Sequence, residues 1–317
     1  MKIGWIIPSR RFFSSPIAST RLRVYDIIRY LREKGVKGGI YSSFERFDIV
    51  VFQKSFSPNH LHTVQKLRTK GVKTILDINV NYIDTDNEFV TETQQKNIKL
   101  MLKEVNAVIT PSPYLRKIYA NFNKNTYLIE EIIEERFLKV KKRHSGNNGL
   151  SLLFCGYAVK AKELYLIKDI LRKLHKKYHI KLVFICEKDP KLEIIPYEFY
   201  KYNHKRLPFL LIKGDIKISP RDLERKYNLG HSFTRIGYPM AVGLPVAATP
   251  VPSYLGSPAV FCVTSKEWES RLEELIVNAD LRKDLEEKGQ QFVRDNFARN
   301  IIIDKYMRLF SDLIRKV

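Results

Sequence analysis

Holding a phosphate takes fixed cations beside free backbone N–H groups, and two stretches of this sequence place such residues together. Lys160 and Lys162 follow closely on Gly156. Further along, His231, Ser232, Thr234 and Arg235 precede a Gly-Leu-Pro corner, where a helix start could offer N–H groups, hydroxyls and a forked guanidinium. Plainer readings stand beside these. Lysines at a helix start are commonly solvated, Ser232 or Thr234 could simply cap a helix, and a lone His is usually a surface or core residue.

Acid–base chemistry has one candidate. Asp77, with Asn79 and Asn81, follows the apolar run Thr74–Ile78. A carboxylate there could act as base on a hydroxyl or bond the start of the next segment; structural roles suit the two Asn. Asp84-Thr85-Asp86 has the form of a paired-carboxylate ion site, but it lies in a polar stretch with Asn87 and Glu88 that reads as a solvated turn. No metal is expected, because the His residues also lack ligand spacing. Cys155, Cys186 and Cys262 sit in apolar runs without CxxC spacing and read as reduced core residues.

Alternating strands and helices must position these groups. Strands are expected at Ile3–Ile7, Asp48–Gln53, Thr74–Ile78, Ala107–Thr110 and Thr126–Ile129, and helices around Val24–Leu31, Leu61–Leu67, Asn97–Val105 and Tyr114–Ala120. Ser19 or Thr20 is placed to cap the first helix. The apolar runs are short and do not alternate, as in parallel strands covered on both faces. Lys139–Gly149 is polar, basic and turn-rich, a linker by composition. Beyond it, strands are expected at Leu152–Cys155, Lys181–Cys186 and Pro208–Lys213, with a helix over Glu163–Lys176. A long helical region runs from Ser265, with a turn near Asp295-Asn296-Phe297.

The 317 residues suffice for two domains. Net charge is +22, with residues 1–145 contributing 26 Lys/Arg against 14 Asp/Glu (+12) and the rest 30 against 20 (+10). The excess is therefore spread along the chain, which fits an anionic membrane surface, nucleic acid, or a plain Lys-rich surface. Arg10-Arg11-Phe12-Phe13 is a basic–aromatic cluster suited to a lipid headgroup interface. No nucleic-acid-binding module signature is present, so no nucleic-acid partner is expected. The N-terminal apolar run is too short for a signal peptide, and no run has transmembrane length; the expectation is a cytoplasmic protein, peripheral to a membrane at most.

At Met240-Ala241-Val242-Gly243-Leu244-Pro245-Val246-Ala247-Ala248-Thr249 the chain resembles the helix–turn–strand of the C-terminal domain in retaining GT-B glycosyltransferases of polysaccharide assembly. Gly243 suits a left-handed helix end and Pro245 prevents continuation. Leu152–Lys162 looks like that family's first strand with its Gly turn and phosphate-contacting Lys, and Ala279–Phe297 like its penultimate helix. Ala18–Arg23 and Asp48–Lys54 are similar to its N-terminal half.

The resemblance implies an α/β fold of two Rossmann-like domains. Residues 1–140 would take the acceptor and 150–296 the donor, with 297–317 a helix returning to the first domain. It implies transfer of a sugar from a nucleotide-diphosphate donor to a glycan or lipid-linked acceptor, with retention and without a metal or other cofactor. Gly156, Lys160, Lys162, His231, Ser232, Thr234, Arg235 and Tyr238 would face the donor, Ser19, Thr20, Arg21 and Arg23 the acceptor, and Asp77 the reaction. One departure stands out. The family's Glu-x7-Glu pair falls on Gly230 and Tyr238. A tyrosine cannot clamp both ribose hydroxyls as a carboxylate does, so this position allows either a donor lacking the 2′-OH or a protein that binds without catalysing.

Overall fold

Ile49, Val50, Val51 and Phe52 are all fully buried, because their strand is covered on both faces. The computed structural model describes residues 1–8, 18–83, 90–140 and 149–315. The chain divides into two units. The first comprises Met1–Ile132, Arg225–Ser232 and Arg299–Val317, and the second Ile133–Glu224 and Phe233–Ala298.

The first unit is built on a six-stranded sheet of β1 (Lys2–Ile6), β2 (Lys37–Ile40), β3 (Ile49–Gln53), β4 (Lys73–Asp77), β5 (Ala107–Thr110) and β6 (Thr126–Leu128). Their order is β2-β1-β3-β4-β5-β6, with every pairing parallel. On one face, Val50, Phe52, Leu76 and Val108 pack against Val64, Ile98, Met101 and Leu115, which come from the helices Pro58–Arg68, Glu92–Glu104 and Pro113–Ala120. On the other, Ile3, Trp5, Ile49, Val51 and Ile75 meet Ile27 and Leu31 of the helix Asp26–Glu33. The same cluster holds Ile302, Tyr306, Phe310 and Leu313 of the helix Arg299–Arg315. Reciprocal capping boxes start two of these helices, Ser57 with His60 and Thr91 with Gln94.

The second unit repeats the plan with β7 (Ser151–Cys155), β8 (Lys181–Cys186), β9 (Tyr197–Lys201), β10 (Ile216–Ser219), β11 (Val246–Ala248) and β12 (Val260–Phe261). The order is β12-β11-β10-β7-β8-β9, again parallel throughout. Leu152, Phe154, Phe184 and Ile218 pack with Leu171, Leu174, Leu272 and Ile276, from the helices Lys168–Tyr178 and Ser265–Val277. Leu153, Val183, Val246 and Ala248 pack with Ile236, Met240 and Val293, from Thr234–Ala241 and Ala279–Phe297. Among the described residues no helix is long and apolar enough to cross a membrane.

Several elements differ from expectation. Pro208–Lys213 is no strand: Leu207–Leu211 is a short helix with Pro208 in its first turn, where its missing N–H costs nothing. The third strand along the chain of this unit is instead Tyr197–Lys201, and β10 follows it. The expected helix from Glu163 begins as a 3-10 helix, Ala158–Ile167, before Lys168–Tyr178. Neither Ser19 nor Thr20 caps a helix start: the backbone is already helical at Ala18–Thr20 and continues through a π-helical turn, Arg21–Tyr25. The Gly243 corner forms as read, with φ +87° between the helix Thr234–Ala241 and β11.

Candidate active site

In the first unit, charged and polar side chains gather beyond the carboxyl ends of β3 and β4. The π-helical turn brings Arg23 inward, where its Nε donates to Asp77 Oδ1 at 2.6 Å. Arg23 Nη1 also donates to the Ile129 carbonyl at 3.1 Å. Burial pushes the Asp77 carboxyl upward while Arg23 opposes the shift. Just past β3, Lys54 takes a left-handed backbone with φ +50° and donates to Ser19 Oγ at 3.2 Å. Burial lowers the Lys54 ammonium below its ordinary value, with Glu131 and Asp77 opposing. Thr20 Oγ1 donates to Gln53 Oε1 at 3.3 Å. Glu131, also buried, accepts from Ser232 Oγ at 2.8 Å and from Asn79 Nδ2 at 3.4 Å.

Asp77 is fully buried, with one carboxylate oxygen held by Arg23, and so fixes where the guanidinium lies. Ser19, Thr20, Arg23 and Asp77 do share one cluster, and half-buried Arg21 starts the same turn. Its Nε makes no hydrogen bond among the described residues. His231 and Ser232, expected with the donor-facing residues, belong to this unit. His231 stands edge-on to the Tyr227 ring at 5.2 Å. Arg10–Phe13 and Asp84–Asp86 lie outside the described residues.

In the second unit, β7 ends at Cys155 and the chain turns at Gly156. Ala158 N donates to Glu187 Oε2 at 2.9 Å, which pins the turn against the end of β8. Lys160 is half-buried and Lys162 exposed on the following 3-10 helix. Thr234 and Arg235 open the helix Thr234–Ala241, without a side-chain cap. The half-buried Arg235 makes no hydrogen bond or ion pair among the described residues and acts electrostatically on Cys155. Tyr238 is half-buried. Its ring packs on Phe137 at 4.3 Å, and its hydroxyl is enclosed. Gly237 explains the close fit, since a Cβ there would stand 2.5 Å from Ile133 Cδ1.

The two parallel six-stranded sheets and their helices match known structures over nearly the whole chain. Anabaena HepE in complex with UDP and glucose aligns at TM-score 0.70 and 13% identity, covering 98% of this chain and 100% of that one. The fold is GT-B. A glycosyltransferase from Rickettsia africae ESF-5 aligns at TM-score 0.69 and 12% identity, over 99% of this chain and 98% of that one. TarM, from S. aureus, aligns at TM-score 0.64 and 15% identity over 83% of this chain, which covers 54% of TarM, about half its length. No protein-family model matches the sequence, and no curated protein matches it either.

Three residues of this GT-B chain's polar clusters were not singled out in the sequence. Glu131 hides in the charge-rich run Glu130–Glu135, where nothing marks one carboxylate as buried. Lys54 ends a strand motif and reads as a surface cation. Lys217, in the middle of β10, is only 1% exposed; its ammonium lies 5.1 Å from the centre of the Phe154 ring.

Proposed function

We propose that the chain is a glycosyltransferase, moving a sugar from a nucleotide-diphosphate donor to a glycan or lipid-linked acceptor. The supporting observation is the end-to-end match of both sheets with HepE, a protein seen with UDP and glucose. In the second unit, the Arg235 guanidinium near the end of β7 supplies what a diphosphate needs, a forked cation. In the first unit, Ser19, Lys54 and Arg21 offer hydroxyl and cationic contacts for an acceptor, held in place by the Arg23–Asp77 pair. Transfer proceeds with retention and without a metal, at the cytoplasmic face of a membrane. The test is release of nucleotide from UDP-, dTDP-, GDP- and ADP-sugars by purified protein, with and without glycan acceptors. The anomeric configuration of any product is then read by NMR.

A second reading, a non-catalytic protein that binds nucleotide-sugar or glycan, is favoured by one observation: Tyr238, at the position of the family's second Glu, is occupied with Phe137. Tight nucleotide binding without hydrolysis or transfer under all those conditions would decide for it.

A further inference from the structure

Lys217 is a cation in a place that ordinarily excludes one. Its strand, β10, lies between β7 and β11, and its backbone is in register with Leu153 on one side and Val246 on the other. Among the described residues its ammonium makes no hydrogen bond or ion pair, and the side chain is 1% exposed. An unpaired ammonium enclosed in this way is costly, and such groups persist where a ligand completes them. The Phe154 ring shows where the ammonium ends up. Lys217 Nζ stands over that ring at 5.1 Å, and a Cβ built on Gly156 would touch its Cε1 and Cζ at 3.5 Å. Lysine and turn therefore share one ring.

The charged and titratable groups acting on Lys217 are Cys155 from β7, Cys186 from β8 and Arg235 from the helix Thr234–Ala241. No carboxylate is among them. Burial pushes the two thiols up to about 11 and about 12, so both are neutral at ordinary pH. Nearby acids are committed elsewhere: Asp215 accepts from Ser151 N at 2.8 Å and Glu187 from Ala158 N at 2.9 Å. Two cations, one buried and one half-buried, thus face each other's field beside a backbone turn, with no carboxylate among the described groups acting on Lys217.

We propose that Lys217 is a buried phosphate contact, completing with Arg235 and the Gly156 turn a two-cation well for the diphosphate of the nucleotide donor. This rests on the reading that the second unit takes the donor, and adds a residue outside the motifs that suggested it. Burial lowers the Lys217 ammonium to about 8, and Arg235 pushes the same way. An arriving diphosphate opposes both effects, so above pH 8 its binding draws a proton onto Lys217.

Calorimetry on the full chain, at pH 8.5 in Tris and in HEPES, tests this with UDP and inorganic pyrophosphate as probes. The different ionisation enthalpies of the two buffers report proton uptake. The unmutated protein is expected to take up about half a proton or more on binding. Lys217→Met should bind both probes at least tenfold more weakly and take up none, and Lys217→Arg should recover affinity without the uptake. Circular dichroism of Lys217→Met checks that it is folded. Binding by Lys217→Met as tight as the original, or buffer-independent heats in the original, overturns the inference while leaving the donor reading intact. Failure of the unmutated protein to bind either probe overturns both.

Discussion

The Arg23 guanidinium and the Asp77 carboxylate meet at 2.6 Å with both side chains only 1% exposed. The two are 54 residues apart in sequence and join the π-helical turn to the end of β4. Removing one partner strands the other as an uncompensated buried charge. Asp77→Ala is therefore expected to lose about 3–5 kcal/mol of stability. Replacing both partners by apolar residues, Arg23→Met with Asp77→Leu, should lose far less. Urea denaturation of the two variants checks the order. A single variant within about 1 kcal/mol of the parent would show that the pair is not buried in solution.

Lys217 should carry the opposite signature. Its folded-state value of about 8 lies below the ordinary 10.5, so near pH 7 the folded protein holds a cation against burial at about 3 kcal/mol. Lys217→Met is expected to raise thermal stability at pH 7 in the absence of nucleotide. Between pH 8 and 10.5 the unfolded chain binds the extra proton, so the parent gains stability with rising pH and the difference shrinks. Melting curves at pH 7, 8.5 and 9.5 measure this. A gap that widens with pH contradicts the assignment.

Arg235 and Lys162 flank the same turn with different exposure. Arg235→Ala is expected to weaken nucleotide-diphosphate binding about tenfold or more, the loss of one charge-assisted hydrogen bond at roughly 1.5–3 kcal/mol. Lys162 is exposed, so Lys162→Ala should change affinity less than threefold. Calorimetry with UDP ranks them, and a larger effect at Lys162 would move the phosphate along the 3-10 helix.

Tyr238→Phe should leave the preference between UDP and dTDP unchanged, because the ring packs on Phe137 and its hydroxyl is enclosed. Tyr238→Ala should instead lose about 2–4 kcal/mol of stability through lost packing. A nucleotide preference altered by Tyr238→Phe would return this residue to the ribose.

What could be read in the sequence follows from what the residues must satisfy locally. Ala107–Thr110 and Lys181–Cys186 were placed to the residue, since a strand covered on both faces is apolar throughout. Gly243 declared its corner because few other residues accept φ +87°. The misses share a cause. In Ile216–Ser219 a lysine interrupts the apolar pattern, in Lys37–Ile40 two glycines dilute it, and in Leu207–Leu211 a short apolar run fits helix and strand alike. The site suffered most. Nothing near Arg23 or Asp77 announces a partner dozens of residues away, and nothing near Glu131 tells it from neighbouring carboxylates. Such identities are set by tertiary burial.

The helix Arg299–Arg315 supplies Ile302, Tyr306, Phe310 and Leu313 to the same cluster as Ile3 and Trp5. A ribosome therefore finishes β1–β6 about 180 residues before it delivers the segment that closes their second face. At ~5–20 residues per second that interval is roughly ten to forty seconds. Throughout it, the apolar face of β1 and β3 has no covering helix from the far end of the chain. The last layer of the first unit's core therefore waits on residues translated long after its sheet.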